Sequence, residues 1–314
     1  MKSYGTLPES YRTGVMFSIL AICWGTSFVA IEIGLEYVPP LLFAGLRYAL
    51  AGAIVFAYAY VVADRIRPTG RDEWLAVVVA GVFVIALYHA LLYVGELYVP
   101  GAIAATIVSL TPILSAAFAG AVFPDERLAR LGVVGLLLGL AGVVAVARPT
   151  SAALGGELTL GVVLVFASAV AFAIGSVLMR PLQSGLPLAT LQAWAMLLGA
   201  GLLLGWAVVR GESVRAIEPT LPALASFVYL TLVSGVFAFL LYFELLERSG
   251  PTQVNLVGYA EPAVAMVVSA LALGFVVDSV TVVGLVTILV GFVFIKREAL
   301  RGVVRAGLNR HVQG

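Results

Sequence analysis

Ten apolar runs of roughly 20 residues, separated by short connections rich in proline, glycine and charge, constrain this chain more than any other feature. A bilayer core about 30 Å thick is crossed by about 20 apolar residues in helical conformation, at about 1.5 Å of rise each. The runs are Gly14–Glu32, Leu41–Val62, Trp74–Leu97, Gly101–Val122, Ala129–Ala147, Leu158–Met179, Leu188–Val209, Ala223–Leu246, Gln253–Val276 and Val280–Lys296. Breakers such as Pro39-Pro40, Pro68-Thr69-Gly70, Pro124-Asp125-Glu126 and Gly250-Pro251 mark their ends. No connection has room for a soluble domain, and the first run is long and lacks a small-residue cleavage pattern, so it is read as a retained helix. The expected fold is an all-α membrane protein with ten transmembrane helices.

Composition agrees. Of 314 residues, 62% are hydrophobic and 11% charged, whereas a soluble domain needs roughly a quarter of its residues charged to cover its surface. A net charge of +1, with basic residues spread along the chain, leaves no footprint for nucleic acid. Cys23 stands alone, which excludes an intramolecular disulfide and a cysteine metal cluster. With His89 and His311 the only histidines, no metal or other cofactor is expected.

Lys and Arg placement sets the orientation. With the N-terminus inside, fourteen of the 18 fall in inner segments, and only Arg148, Arg210 and Arg215 fall outside. Both termini are therefore expected in the cytoplasm of a cell whose plasma membrane the chain crosses many times. The basic tail is expected to lie against anionic lipid headgroups.

A shift of about 150 residues brings the breakers of the two halves into register. At 147, Gly14 meets Gly161, Pro40 meets Pro187 and Gly52 meets Gly199. At 149, Tyr93 meets Tyr242, Gly135 meets Gly284, and Gly142 meets Gly291; at 150, Pro112 meets Pro262. Five being odd, two tandem five-helix copies must point in opposite directions, giving inverted repeats about an axis in the membrane plane. The organisation read from this is an N-terminal segment 1–13, a first repeat 14–148, a second repeat 158–297 and a basic tail 298–314. Halves of this kind can exchange conformations and open a central site to each side in turn.

The motifs Cys23-Trp24-Gly25-Thr26-Ser27-Phe28, Leu46-Arg47-Tyr48, Leu110-Thr111-Pro112, Pro124-Asp125-Glu126-Arg127-Leu128 and Tyr259-Ala260-Glu261-Pro262, in this order across ten segments, resemble the EamA family of the drug/metabolite transporter superfamily. Val277-Asp278 stands where that family often has Gly-Glu. The resemblance implies a ten-helix transporter, commonly an exporter of amino acids or other metabolites, with a cavity lined by helices 1, 3, 4, 6, 8 and 9.

Pro112 and Pro262 lie about ten residues into the fourth and ninth segments, near mid-membrane. Each lacks an amide hydrogen and frees a carbonyl, which makes both candidate hinges; a static kink is the plainer alternative. Arg47 and Glu261 are ionisable and deep, at a cost of roughly 2.5–3.5 kcal/mol each in lipid, so each needs water or a partner. Glu261 is expected to face the cavity, contacting a substrate amine or taking a proton. Arg47 pairs with Glu261, contacts a substrate carboxylate, or snorkels outward. Trp24, Ser27, Tyr88, Tyr93, Ser109, Tyr229, Asn255 and Tyr259 are the further candidate substrate contacts, each weighed against an interhelical hydrogen bond. His89 reads as a packing residue, and Glu32, Glu36, Glu96 and Glu244, near helix ends, read as solvated. Gly132, Gly135, Gly139 and Gly142 bare one face of the fifth segment for close packing on the tenth, within the chain or across a homodimer.

The reading is a secondary transporter, not an enzyme, that exports a small metabolite by alternating access. A membrane-embedded enzyme acting on a lipid-like substrate would need clustered carboxylates or a His-acid set that the chain lacks. A non-transporting scaffold is the remaining alternative.

Overall fold

The computed structural model describes residues 9–147, 156–182, 185–254 and 256–312. All secondary structure among them is helical, as a chain in lipid requires when no water satisfies its backbone. Eight helices are long and apolar enough to cross a membrane. They are α1 (Glu9–Leu35), α2 (Pro40–Val62), α3 (Arg71–Gly95), α4 (Gly101–Val122), α5 (Arg130–Ala147), α6 (Glu157–Leu178), α7 (Leu188–Val209) and α8, whose apolar span is Leu221–Leu246. Two shorter apolar helices follow: α9 (Val257–Leu273) and the Ser279–Ile295 part of α10 (Ser279–Val312). The outer surface carries apolar side chains such as Val209 and Leu271, each 83% exposed, which suits a lipid solvent.

Three helices are interrupted. In α3 and α8 the segments Ala80–Leu87 and Tyr229–Phe237 are π-helical, and they occupy corresponding places in the two halves. In α4 the α-helix ends at Val108 and resumes at Thr111. Pro112 explains this break: it has no N–H for the Val108 carbonyl, and that carbonyl instead accepts the Thr111 hydroxyl at 2.6 Å. Helical bonding in α8 runs on over Gly250-Pro251 to Val254, so the expected break there falls one turn later, before Val257. Pro262 sits inside α9 without ending it.

Three of the principal packings recur when each helix is exchanged for its counterpart. α1 packs on α9 and α8, as α6 packs on α4 and α3; α2 packs on α8, as α7 packs on α3. The counterpart pairs α2–α7 and α5–α10 also pack directly. A Cβ on Gly135 would lie 2.3 Å from the Gly291 carbonyl oxygen, and one on Gly142 would lie 2.6 Å from that of Gly284, with the reverse approaches equally close. Rising numbers on α5 thus meet falling numbers on α10, and the two run antiparallel. Gly135 and Gly142 thus meet α10 within one chain, whereas a Cβ on Gly139 would meet Leu110 and Ile113 of α4 and one on Gly132 would meet Leu128.

These contacts leave no room for a methyl group. Gly135→Ala is expected to cost about 1–3 kcal/mol through overpacking and to lower the melting temperature of the detergent-purified protein by several degrees. Gly205→Ala, with nothing within 4 Å of its Cβ position, is the control and should leave the melting curve in place or raise it.

At one end of the bundle the α2–α3 connection is fastened by Arg65, which donates to Glu73 at 2.7 and 2.5 Å. The hydrogen bond to Glu73 raises Arg65 above its ordinary value. Thr190 and Trp194 of α7 donate to the carbonyls of Arg65 and Ile66, joining that connection to the second half.

Candidate functional site

Between the halves lies a cavity of about 340 Å³. It merges with a wider space of about 1040 Å³ through Thr111, Pro112, Phe172, Ser176, Met179 and Tyr242, and this space reaches Glu126, Arg127 and Arg180 at the arginine-bearing end. The opposite end is packed, with Leu41, Tyr93 and Val99 buried. Glu212 accepts the Leu41 and Leu42 amides at the start of α2, and Glu32 accepts the Gly101 amide at the start of α4.

The inner cavity is built from eight helices. Trp24, Ser27, Phe28 and Ile31 come from α1; Tyr88, His89 and the π-segment residues Val84 and Ile85 from α3; Val108, Thr111 and Pro112 from α4. Phe172, Ser176 and Met179 come from α6; Ser234, Phe239 and Tyr242 from α8; Gly258 and Glu261 from α9. Beyond the six expected helices, α2 adds Arg47 and Tyr48, and α7 adds Gln192. Pro262 has no N–H for the carbonyl of Gly258, four residues back, and that glycine lines the cavity. The backbone of α9 reaches this wall because Gly25 has no side chain: a Cβ there would stand 2.7 Å from the Glu261 carbonyl oxygen.

The π segments turn backbone carbonyls towards side chains. The Leu230 carbonyl accepts Arg47 Nη1 at 3.2 Å, and the Ser234 carbonyl accepts Trp24 Nε1 at 3.3 Å. Arg47 Nη2 donates to the Tyr48 hydroxyl at 2.9 Å, Tyr48 shares a 2.6 Å hydrogen bond with His89 Nε2, and His89 Nδ1 meets the Ile85 carbonyl at 2.9 Å. One chain of hydrogen bonds therefore joins the two π segments along the cavity wall. His89 is the packing residue expected, and it also faces the cavity.

Arg47 is 4% exposed, with its guanidinium 4.3 Å from the Tyr48 ring centroid and 5.4 Å from that of Tyr93. It neither snorkels nor pairs with Glu261, and its Nε has no hydrogen-bond partner. Glu261 has no hydrogen-bond or ion-pair partner among the described residues. The cavity therefore holds one guanidinium, on α2, and one carboxyl, on α9, that are not paired with each other.

Other candidates sit elsewhere. Tyr93 is fully buried against Phe43. Ser109 donates to the Thr106 carbonyl at 2.6 Å, its hydroxyl taken up by the backbone of α4. Tyr229 donates to the Cys23 carbonyl at 3.0 Å, fastening α8 to α1. Tyr259 packs on Phe292 of α10, centroids 4.1 Å apart. Pro262 is buried outside the cavity lining, and Asn255 lies outside the described residues. Glu96 is not solvated either: it is 5% exposed and neither carboxyl oxygen has a hydrogen-bond partner. Sequence reasoning passed over Gln192, Ser176 and Thr111, because single small polar residues in apolar runs carry no periodic signal.

The EamA-like transporter family model matches the chain twice, over residues 12–148 and 159–297. An uncharacterized transporter of Archaeoglobus fulgidus is 28% identical over 284 residues, covering 90% of this chain and 98% of that protein. The uncharacterized inner membrane transporter YedA of Escherichia coli is 28% identical over 289 residues, covering 87% of this chain and 90% of its own. A crystal structure at 23% identity covers 92% of this chain and 98% of its own with a TM-score of 0.64, and shares the fold. With both halves matched and the match spanning nearly the whole chain, this multi-pass membrane protein belongs to the EamA-like transporter family.

Proposed function

We propose that the protein is a secondary transporter that exports a small zwitterionic metabolite, such as an amino acid, across the plasma membrane by alternating access. The observation that carries this reading is the cavity closed at one end and open at the other, with Arg47 on α2 and Glu261 on α9 not paired with each other. A carboxylate at Arg47 and an ammonium at Glu261 would each gain a charge-assisted hydrogen bond. Trp24, Tyr88 and Phe172 offer aromatic surface for the remainder of the solute. A phosphate ester would require more positive partners than Arg47 alone.

The mechanism rests on ten spans arranged as inverted repeats, with both termini cytoplasmic. Antiparallel packing of α5 against its counterpart α10 and the exchangeable contacts of the two halves support that arrangement. The open end, which carries Arg127 and Arg180, then faces the cytoplasm. The paired π segments and the Pro112 break supply backbone that can change register as the halves trade shapes.

Proteoliposomes loaded with unlabelled amino acids should accumulate a labelled one by counterflow, saturably and with side-chain preference. Uptake equal to that of empty liposomes for every amino acid, with a melting temperature unmoved by any of them, would remove the proposal.

A further inference from the structure

Glu96 is the first residue beyond α3, at the closed end, and nothing in the transport reading uses it. Its side chain is enclosed, and neither carboxyl oxygen has a hydrogen-bond partner. The surroundings offer no compensation. Glu32 of α1, itself beside Glu36, lies within electrostatic reach and repels a second negative charge. Arg47 of α2 is the cation in reach, but it makes no hydrogen bond to either Glu96 oxygen. Tyr88 and Tyr93 of α3 face the same region. On α6, Gly95 of α3 packs against Gly161 and Val165, which bring no charge. The amide of Gly101 at the start of α4 is already donated to Glu32.

An ionised carboxylate enclosed without a partner is strongly disfavoured, whereas the neutral acid is tolerated. We propose that Glu96 is a proton-binding site that couples closure of the outer end to proton uptake. This rests on the alternating-access reading and adds a proton-dependent gate to its outer end. With the outer end closed, Glu96 holds its proton. When that end opens, water reaches the carboxyl, the O–H bond breaks and the proton passes to the outer solution. The carboxylate left behind faces Glu32, and the two like charges oppose reclosure until Glu96 is protonated again. External acid thus favours the form open to the cytoplasm, and alkali the form open outwards.

The test uses single cysteines in a Cys23→Ser background, with the full chain in lipid nanodiscs and a water-soluble maleimide as probe. Val99→Cys reports on the closed outer contact, since Val99 is 2% exposed and touches α6 near Gly161. Ser115→Cys lies on the wide inner space, and Ser213→Cys, on an exposed loop, corrects for thiol ionisation. Raising the pH from about 5.5 to about 8.5 should increase the corrected labelling of Val99→Cys by about fivefold and decrease that of Ser115→Cys. Adding Glu96→Gln should leave both rates flat, at their low-pH values, and Glu96→Asp should restore the pH dependence. If the opposed changes persist in Glu96→Gln, or the pH leaves both rates flat with Glu96 in place, Glu96 is not the proton site. Alternating access fails separately, if the two positions always change in the same direction or the outer one never becomes reactive under any condition.

Discussion

Glu261→Gln is expected to reduce counterflow of the preferred amino acid by about 10–100-fold, the equivalent of a lost charge-assisted hydrogen bond of about 1.5–3 kcal/mol. Elution profile and melting temperature should stay close to those of the unaltered protein. The substitution keeps shape and polarity, and Glu261 has no bonded partner among the described residues to be orphaned by it. It is also the one carboxyl among the residues lining the inner cavity, so no neighbour can take over its charge. Flux and pH dependence equal to those of the unaltered protein would take Glu261 out of the site.

The second large effect concerns Arg47. Arg47→Lys keeps the charge but loses the planar fork that reaches both the Leu230 carbonyl and the Tyr48 hydroxyl. Binding of the amino acid, followed by thermal shift or counterflow competition, should weaken by about tenfold or more. The corresponding decarboxylated amine, which presents nothing to Arg47, should compete equally well against both proteins. An equal loss for acid and amine would mean that Arg47 serves only to tie α2 to the π segment of α8.

Those two side chains illustrate how far sequence could reach. Depth in an apolar run singled out both as candidates, since an ionisable group in lipid must find a partner or water. The choice among Arg47's three roles was closed to sequence, because each depends on which wall it meets. Glu96 was misread for a related reason. A carboxylate near a helix end is normally hydrated, and only the assembled helices enclose this one. The two π segments carried no signal either: Ala80–Leu87 is apolar throughout, and a one-residue shift in hydrogen-bond register leaves no trace in composition.

The sequence by itself determined that the chain is helical, lives in lipid and matches one transporter family in each of its halves. Those properties follow from the hydropathy of runs and the positions of glycine and proline, which act locally or at a fixed period. Only the tertiary structure decided which polar residues look into the cavity, which carbonyls are free to hold Arg47 and Trp24, and which end is shut. The reason is physical: a helix apolar on every side has no amphipathic stripe to announce its inward face. Its rotation is set by close packing with neighbours such as Gly25 on α9 and Gly135 on α10, and that information exists only when the helices are assembled.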